Sequence, residues 1–367
     1  GPLSPLFPSQ PIPHNQSLTP LPIVMSPILL IFIFVLSLAV LVKASDSFTV
    51  AAEKIGITLG MSPFMVGVTI VAVGTSLPEL VSSILAVYQG VSEVVVGNVV
   101  GSNTANILLI LGIAGVITAL PQGNSKSLEG LQKSRDLIIQ YDLVSVDLPL
   151  FVGSTFLFGL AIWDQNFSLV EAGIFILGYL IYLFYTLDNS QHQDQGEDPN
   201  LEQPPAQSET ESPISGRSRE LLKQSAILVI SALFIFLGAK YTISSLISLS
   251  ETLNIAKEII AVTAVAVGTS LPELLVTVSA SLRGNAEIAV GNVLGSNIFN
   301  TFIVMGIPRL LGNLNIPETV VMGGMPVLIS GTVLMFFVTQ DRKLTPWEGW
   351  LFLLFYVWFL AKTFNFA

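Results

Sequence analysis

Residues 74–106 read GTSLPELVSSILAVYQGVSEVVVGNVVGSNTAN, and residues 268–300 read GTSLPELLVTVSASLRGNAEIAVGNVLGSNIFN. GTSLPEL at Gly74–Leu80 recurs from Gly268, and GNVVGSN at Gly97–Asn103 recurs as GNVLGSN from Gly291, each displaced by 194 residues with the spacing inside the pair preserved. A fainter echo, WDQNFSLVEAG around Glu171 against TQDRKLTPWEGW around Glu348, is displaced by 177, because the first copy carries a longer loop from Pro121 to Val146. The chain is a duplication, and everything else is read from that.

The surroundings of the motifs set the class. Of 367 residues 51% are hydrophobic and only 11% charged, where a soluble chain carries about 25% charged. Apolar runs give ten candidate spans, near 24–42, 64–88, 92–116, 147–163, 168–187, 221–247, 258–282, 286–311, 319–338 and 346–364, most of them long enough to cross a hydrocarbon core of roughly 30 Å at about 1.5 Å per helical residue. The expected fold is an all-α polytopic membrane protein with ten transmembrane helices. Five helices per repeat is an odd number, so the second copy enters the membrane upside down, giving two inverted five-helix repeats. The Trp residues at 347, 350 and 358 read as interfacial anchors or packing.

The expected segments are an N-terminal stretch 1–23 outside the fold, a first repeat 24–187 with its motif at 74–106, a linker 188–220, and a second repeat 221–367 with its motif at 268–300. The opening Gly1-Pro2 resembles a tag-cleavage remnant, and the first 22 residues carry no charge. Much of the net charge of −10 falls in Asp188–Ser212, with seven acidic residues, three prolines and no Lys or Arg, so it reads as a solvated linker. Scattered Lys and Arg disfavour nucleic acid as a partner. No cysteine is present, which excludes disulfides, thiolate metal sites and cysteine nucleophiles, and the two histidines, His14 and His192, lie in polar segments.

Basic residues set the orientation, since Lys and Arg are retained on the cytoplasmic side. With the N-terminus outside, eleven fall inside (Lys43, Lys54, Lys126, Lys133, Arg135, Arg217, Arg219, Lys223, Arg283, Arg342, Lys343) and four outside (Lys240, Lys257, Arg309, Lys362). Both termini are therefore expected outside and the acidic linker in the cytoplasm.

The chemistry must lie where polar groups sit deep in the bilayer. Thr75 and Glu79 are four apart and share a helical face, and helix 7 repeats the set as Thr269, Ser270 and Glu273 to match Thr75, Ser76 and Glu79. Glu79 precedes the turn at Gly90 by 11 residues and Ser102 follows it by 12, which puts both roughly 16 Å from the turn, about mid-core. Glu273, Gly284 and Ser296 repeat those intervals, and Asn106 and Asn300 lie one turn beyond the serines. Ionised carboxylates at that depth cost about 2.5–3.5 kcal/mol each on insertion scales, and no Lys, Arg or His lies at comparable depth in the ten spans. Cations from solution must balance them. Two carboxylates among hydroxyl and amide oxygens form a hard site of formal charge −2, suited to one calcium ion or a few sodium ions. Pro78 and Pro272 would release carbonyls around Ala72–Thr75 and Ala266–Thr269. Small residues also serve as helix-packing surfaces, prolines as simple kinks, and a lone acid as a protonated structural group. Recurrence of the whole set at one interval favours the functional reading.

GTSLPE followed by GNVVGSNxxN, twice in ten helices, resembles the alpha repeats of the cation/calcium exchanger superfamily, in particular the prokaryotic members of its sodium/calcium exchanger branch. The resemblance covers nearly the whole chain from about residue 27. It implies that helices 2, 3, 7 and 8 pack antiparallel around the ions while helices 1 and 6 slide across this core to alternate access. It further implies that Glu79 and Glu273 ligate calcium with the backbone carbonyls of Thr75 and Thr269. Sodium sites would form from Thr75, Ser76, Glu79 and Ser102, and from Thr269, Ser270, Glu273 and Ser296, assisted by the carbonyls of Ala72 and Ala266, with Asn106 and Asn300 bordering the centre. One departure is visible: many members carry Asp where this chain has Asn300, which weakens the case for potassium cotransport and for a proton carried there.

The expected function is secondary antiport of sodium for calcium by alternating access, exporting calcium, with no catalysis and no cofactor. A proton/calcium or other cation exchanger using the same two glutamates is the alternative. A channel and a membrane enzyme fit less well, the first for want of a symmetric pore motif and the second for want of a nucleophile, base or metal arrangement. The expected partners are calcium, sodium and membrane lipid, in a monomer of a prokaryotic inner membrane.

Overall fold

A computed structural model describes residues 26–117, 136–139, 141–143, 146–192, 214–252 and 270–363. Helix α1 runs Pro27–Leu59, with Ser26 accepting from Leu29 N at 3.3 Å and Pro27 in its first turn. Helix α2, Pro63–Tyr88, is capped the same way by Ser62. It contains a π turn at Gly67–Val71 and carries Pro78 inside it. Helix α3, Glu93–Ile117, has its π turn at Asn106–Ile110. Next come α4, Asp147–Ala161, and α5, Leu169–His192, then α6, Ile214–Thr252. After these stand α7, Leu271–Leu282, α8, Ala286–Leu311, α9, Val320–Val338, and α10, Pro346–Thr363. Strand β1, Leu137–Ile138, pairs antiparallel with β2, Lys343–Leu344. The described chain is all-helical apart from this short ribbon. Among the described residues seven helices (α1, α2, α3, α5, α6, α8 and α9) are long and apolar enough to cross a membrane, and the chain is an integral membrane protein.

Local structure repeats with the sequence. The turns after α2 and α7 both place a glycine in the left-handed region, Gly90 at φ 75° and Gly284 at φ 82°. The π turn of α3 begins at Asn106 and that of α8 at Asn300. The fainter echo is a repeated capping box. Ser168 N donates to Glu171 Oε2 at 2.6 Å with Glu171 N returning to Ser168 Oγ at 3.2 Å, and Thr345 and Glu348 do the same at 2.7 and 3.4 Å. Three residues before each cap stands a non-glycine at positive φ, Gln165 at 61° and Arg342 at 57°.

Two helices, α1 and α6, outrun their expected spans by the most, while α5 continues past 187 to His192. α1 continues from 42 to Leu59 and α6 runs Ile214–Thr252 instead of 221–247. Hydropathy ends a span at the first charges, here Lys43 and Asp46, but the helix stops only at Gly60, whose left-handed φ of 75° takes N–H bonds back to Gly56 and Ile57. At about 1.5 Å per residue these helices are roughly 50 and 58 Å long, beyond a core of about 30 Å. They pack along one another, with Thr242 Oγ1 donating to Ser37 Oγ at 2.9 Å. Their outer faces expose Ile28, Phe32, Leu36, Val229 and Leu233, as a hydrocarbon-facing surface requires. Helix α5 ends at His192 and α6 begins at Ile214, both within the linker expected at 188–220; residues 193–213 lie outside the described residues, as do the N-terminal stretch 1–23 and the first half of the span expected at 258–282.

Helix α8 is the central element, buried without a break from Ile288 to Gly306. α2 crosses it at backbone contact: a Cβ on Gly295 would lie 2.4 Å from Val68 O, and one on Gly291 2.6 Å from Phe64 O. The small residues of the GNVLGSN motif thus serve packing as well.

Candidate functional site

The crossing of α2 and α8 brings Thr75, Ser76, Glu273, Asn292 and Ser296 into hydrogen-bonding contact; Glu79, Ser102 and Asn106 are also buried, and the Glu79 carboxylate and Asn106 amide make no hydrogen bond to that group. Pro78 in α2 and the close glycine contacts fix the backbone there, and the helical spacing of Thr75, Ser76 and Glu79 aims them at α7 and α8. Glu79 and Glu273 are each 1% exposed. Ser76 Oγ donates to Glu273 Oε1 at 3.1 Å, which joins the two repeats at their acidic positions. Thr75 Oγ1 lies 3.3 Å from Ala72 O, 3.2 Å from Asn292 Oδ1 and 3.4 Å from Ser296 Oγ. Ser270 stands at the N-cap position of α7 without a side-chain capping bond and is 5% exposed, and Pro272 stands in that helix's first turn. Ser102 donates to Asn98 Oδ1 at 3.4 Å. Thr269 and Ala266 lie outside the described residues.

Several expected residues keep oxygens without a hydrogen-bond partner: both carboxylate oxygens of Glu79, Oε2 of Glu273, Oδ1 of Asn300 and Oδ1 of Asn106, whose Nδ2 is also without a partner. Glu79, Glu273, Asn106 and Asn300 are all within 1% of full burial. Among the described residues the buried charged side chains are Glu79, Glu273 and Asp147, with no buried Lys, Arg or His beside them. An unpaired carboxylate in a dry interior costs several kcal/mol, so this cluster is a concentration of unspent acceptors. Its donor set is all oxygen and mostly neutral, the kind that hard cations such as calcium and sodium bind.

The sequence reading missed a layer of asparagines and hydroxyls that hold these groups. Asn292 Nδ2 donates to Thr277 Oγ1 at 2.9 Å and reaches Glu273 O at 3.4 Å, while its Oδ1 accepts from Thr75. Asn103 Nδ2 donates to Asn297 O at 3.2 Å and Thr301 Oγ1 at 3.0 Å, and Asn103 Oδ1 accepts from Asn300 Nδ2 at 3.1 Å. In the first repeat the counterparts of Asn292 and Thr277 are Asn98 and Ser83, and there Asn98 Nδ2 and Ser83 Oγ have no partner. Asn98, Asn103, Asn292 and Asn297 all stand inside the repeated GNVVGSN and GNVLGSN motifs, which is the signal that could have found them.

The sodium/calcium exchanger protein family matches residues 29–187 and 223–364. The chain is 35% identical over 358 residues to the sodium/calcium exchanger MaX1 of Methanosarcina acetivorans, covering 90% of this chain and 97% of that one. It is 30% identical over 283 residues to the inner membrane protein YrbG of Escherichia coli, covering 76% and 79%. The structure is similar to that of the sodium-calcium exchanger NCX_Mj soaked with Na+ and Ca2+, with a TM-score of 0.71, 27% identity, and coverage of 91% of this chain and 98% of that one. With both halves matched on either side of the linker, the chain belongs to the sodium/calcium exchanger protein family, whose members are transporters and not enzymes.

Proposed function

We propose that the chain exchanges sodium for calcium across the membrane by alternating access, and that Glu79 and Glu273 carry the ions. The observation that carries this reading is the Ser76–Glu273 bond between the repeats, beside buried carboxylate oxygens with no partner and no buried basic residue among the described residues. Calcium would be ligated by Glu79 and Glu273 with the carbonyls of Thr75 and Thr269. Sodium would use Thr75, Ser76, Glu79 and Ser102 with Ala72 O, and Thr269, Ser270, Glu273 and Ser296 with Ala266 O, while Asn106 and Asn300 border the centre.

Mechanism follows from electrostatics. The two carboxylates are costly when unbalanced, so the carrier occludes and reorients when loaded with calcium or with sodium and seldom otherwise. Both ions need the same oxygens, so each excludes the other, and a sodium gradient drives calcium out of the cytoplasm. In this reading all ten helices cross the membrane as two inverted repeats, 24–187 and 221–367, and the paired α1 and α6 slide across the core of α2, α3, α7 and α8. Both termini face outward and the linker faces the cytoplasm of a prokaryotic inner membrane, a location named for the relative YrbG. A single chain suffices, since both half-sites come from one molecule.

The test is calcium-45 uptake into proteoliposomes under an imposed sodium gradient. Uptake requires sodium and disappears in Glu79→Gln and Glu273→Gln. Uptake driven by a pH gradient without sodium would establish the proton/calcium exchanger instead, and undiminished uptake in either variant would remove the glutamates from the mechanism.

A further inference from the structure

We infer that Asn103 is a positioning residue for the ion site, fixing which end of the Asn300 amide faces the ions; the inference rests on the reading of Asn300 as a site-lining residue. Hydrogen-bond polarity carries the argument. The amide oxygen and nitrogen of an asparagine are alike in outline, and their assignment is normally settled by surrounding partners. Asn297 O is a backbone carbonyl and can only accept, so the Asn103 atom 3.2 Å away must be the Nδ2 donor, which also lies 3.0 Å from Thr301 Oγ1. Asn103 therefore turns its Oδ1 the other way, to the Asn300 side chain at 3.1 Å. An acceptor there admits only the NH2 end of Asn300. The Oδ1 of Asn300 is thus directed away from Asn103, where it has no hydrogen-bond partner although the residue is 1% exposed. An amide presents its oxygen to a metal ion and its NH2 group does not coordinate one, so one carbonyl of α8 sets, through two side chains, whether position 300 attracts or repels a cation.

The first repeat lacks the device. The counterpart of Asn103 is Asn297, whose Nδ2 donates at 2.7 Å to Val293 O in its own helix and whose Oδ1 has no partner. The counterpart of Thr301 is Ile107, which has no hydroxyl. Asn106, the counterpart of Asn300, has no partner on either amide atom. One amide of the pair is held oxygen-first by a hydrogen bond and the other has no hydrogen bond to orient it, an asymmetry that sequence symmetry conceals.

The experiment is a double-mutant cycle on the reconstituted full chain, reading the calcium concentration for half-maximal sodium-driven uptake. Asn103→Leu raises that concentration about tenfold in the wild-type background. It has no further effect in Asn300→Ala, and little in Asn300→Asp, whose carboxylate offers an oxygen in either orientation. An effect of equal size in the Asn300→Ala background, or none in the wild type, overturns the inference. Wild-type affinity in Asn300→Ala alone defeats the separate reading of Asn300 as a site-lining residue. A second measurement, independent of how the Asn103 variant folds, is a strontium-soaked crystal of the unaltered protein. The Asn300 amide atom nearer the ion is then the one facing away from Asn103, and an ion seated on the Asn103-facing side contradicts the assignment.

Discussion

Gly295→Ala is the sharpest perturbation of the scaffold that holds the site. The added Cβ would lie 2.4 Å from Val68 O, 2.6 Å from Ala72 Cβ and 2.7 Å from Val68 Cα, all of them backbone or first-carbon atoms that no side-chain rotation can move. Carbon contacts need about 3.5 Å, so α2 and α8 must part by roughly 1 Å. That opens the Thr75 contacts to Asn292 and Ser296, now 3.2 and 3.4 Å, past hydrogen-bonding range. Overpacking costs about 1–3 kcal/mol and two lost hydrogen bonds about 1 kcal/mol each, offset by about 1 kcal/mol of helix propensity. The net is a loss of about 2–4 kcal/mol. Thermal unfolding of the detergent-purified protein, followed by tryptophan fluorescence, therefore drops by roughly 5 °C, and sodium-driven calcium uptake falls by tenfold or more. Gly153→Ala is the control: nothing lies within 4 Å of its Cβ, and its stability changes by no more than about 1 kcal/mol. Wild-type stability and uptake in Gly295→Ala would refute the crossing as the support of the site.

Three further outcomes follow from other parts of the structure. Ser168→Ala and Thr345→Ala each remove one side of a capping box and lower stability by about 1 kcal/mol, measurable in the same unfolding assay, with uptake unchanged. Asp46 of α1 accepts from both Arg283 Nε, at 3.0 Å, and a second guanidinium nitrogen, and from Ser279 Oγ at 3.3 Å. Because these groups are more than a third exposed, Asp46→Asn costs less than about 1 kcal/mol, and the effect shrinks further in 1 M salt. Calcium at about 100 times its Kd stabilises the wild type by about 2.7 kcal/mol; in Glu79→Gln at the same calcium concentration most of that stabilisation disappears.

Much of the fold was legible because it is written twice. Glu79, Ser102 and Asn106 recur as Glu273, Ser296 and Asn300 at a constant interval, and the left-handed Gly90 and Gly284 stand where the repeat put its turns. What stayed illegible depends on relations that a linear pattern does not contain. The reach of α1 past Lys43 and Asp46 is set by where the backbone must turn, at Gly60, and hydropathy reports only where lipid ends. Asn103 sits beside Ser102 in the motif, about 100° around the helix, and its hydrogen bonds appear only once α3 meets Asn297, Asn300 and Thr301 across the core. The echo around Glu171 and Glu348 was visible as similarity, but its meaning as paired capping boxes required the hydrogen bonds.

The balance of buried acid by transported cation is tested most directly by anomalous diffraction from crystals soaked in strontium or calcium. The account predicts one divalent peak between α2 and α7, within about 2.3–2.6 Å of carboxylate oxygens of both Glu79 and Glu273, and its displacement as sodium in the soak rises. A divalent ion bound elsewhere, with the two carboxylates turned apart or facing lipid, would contradict it.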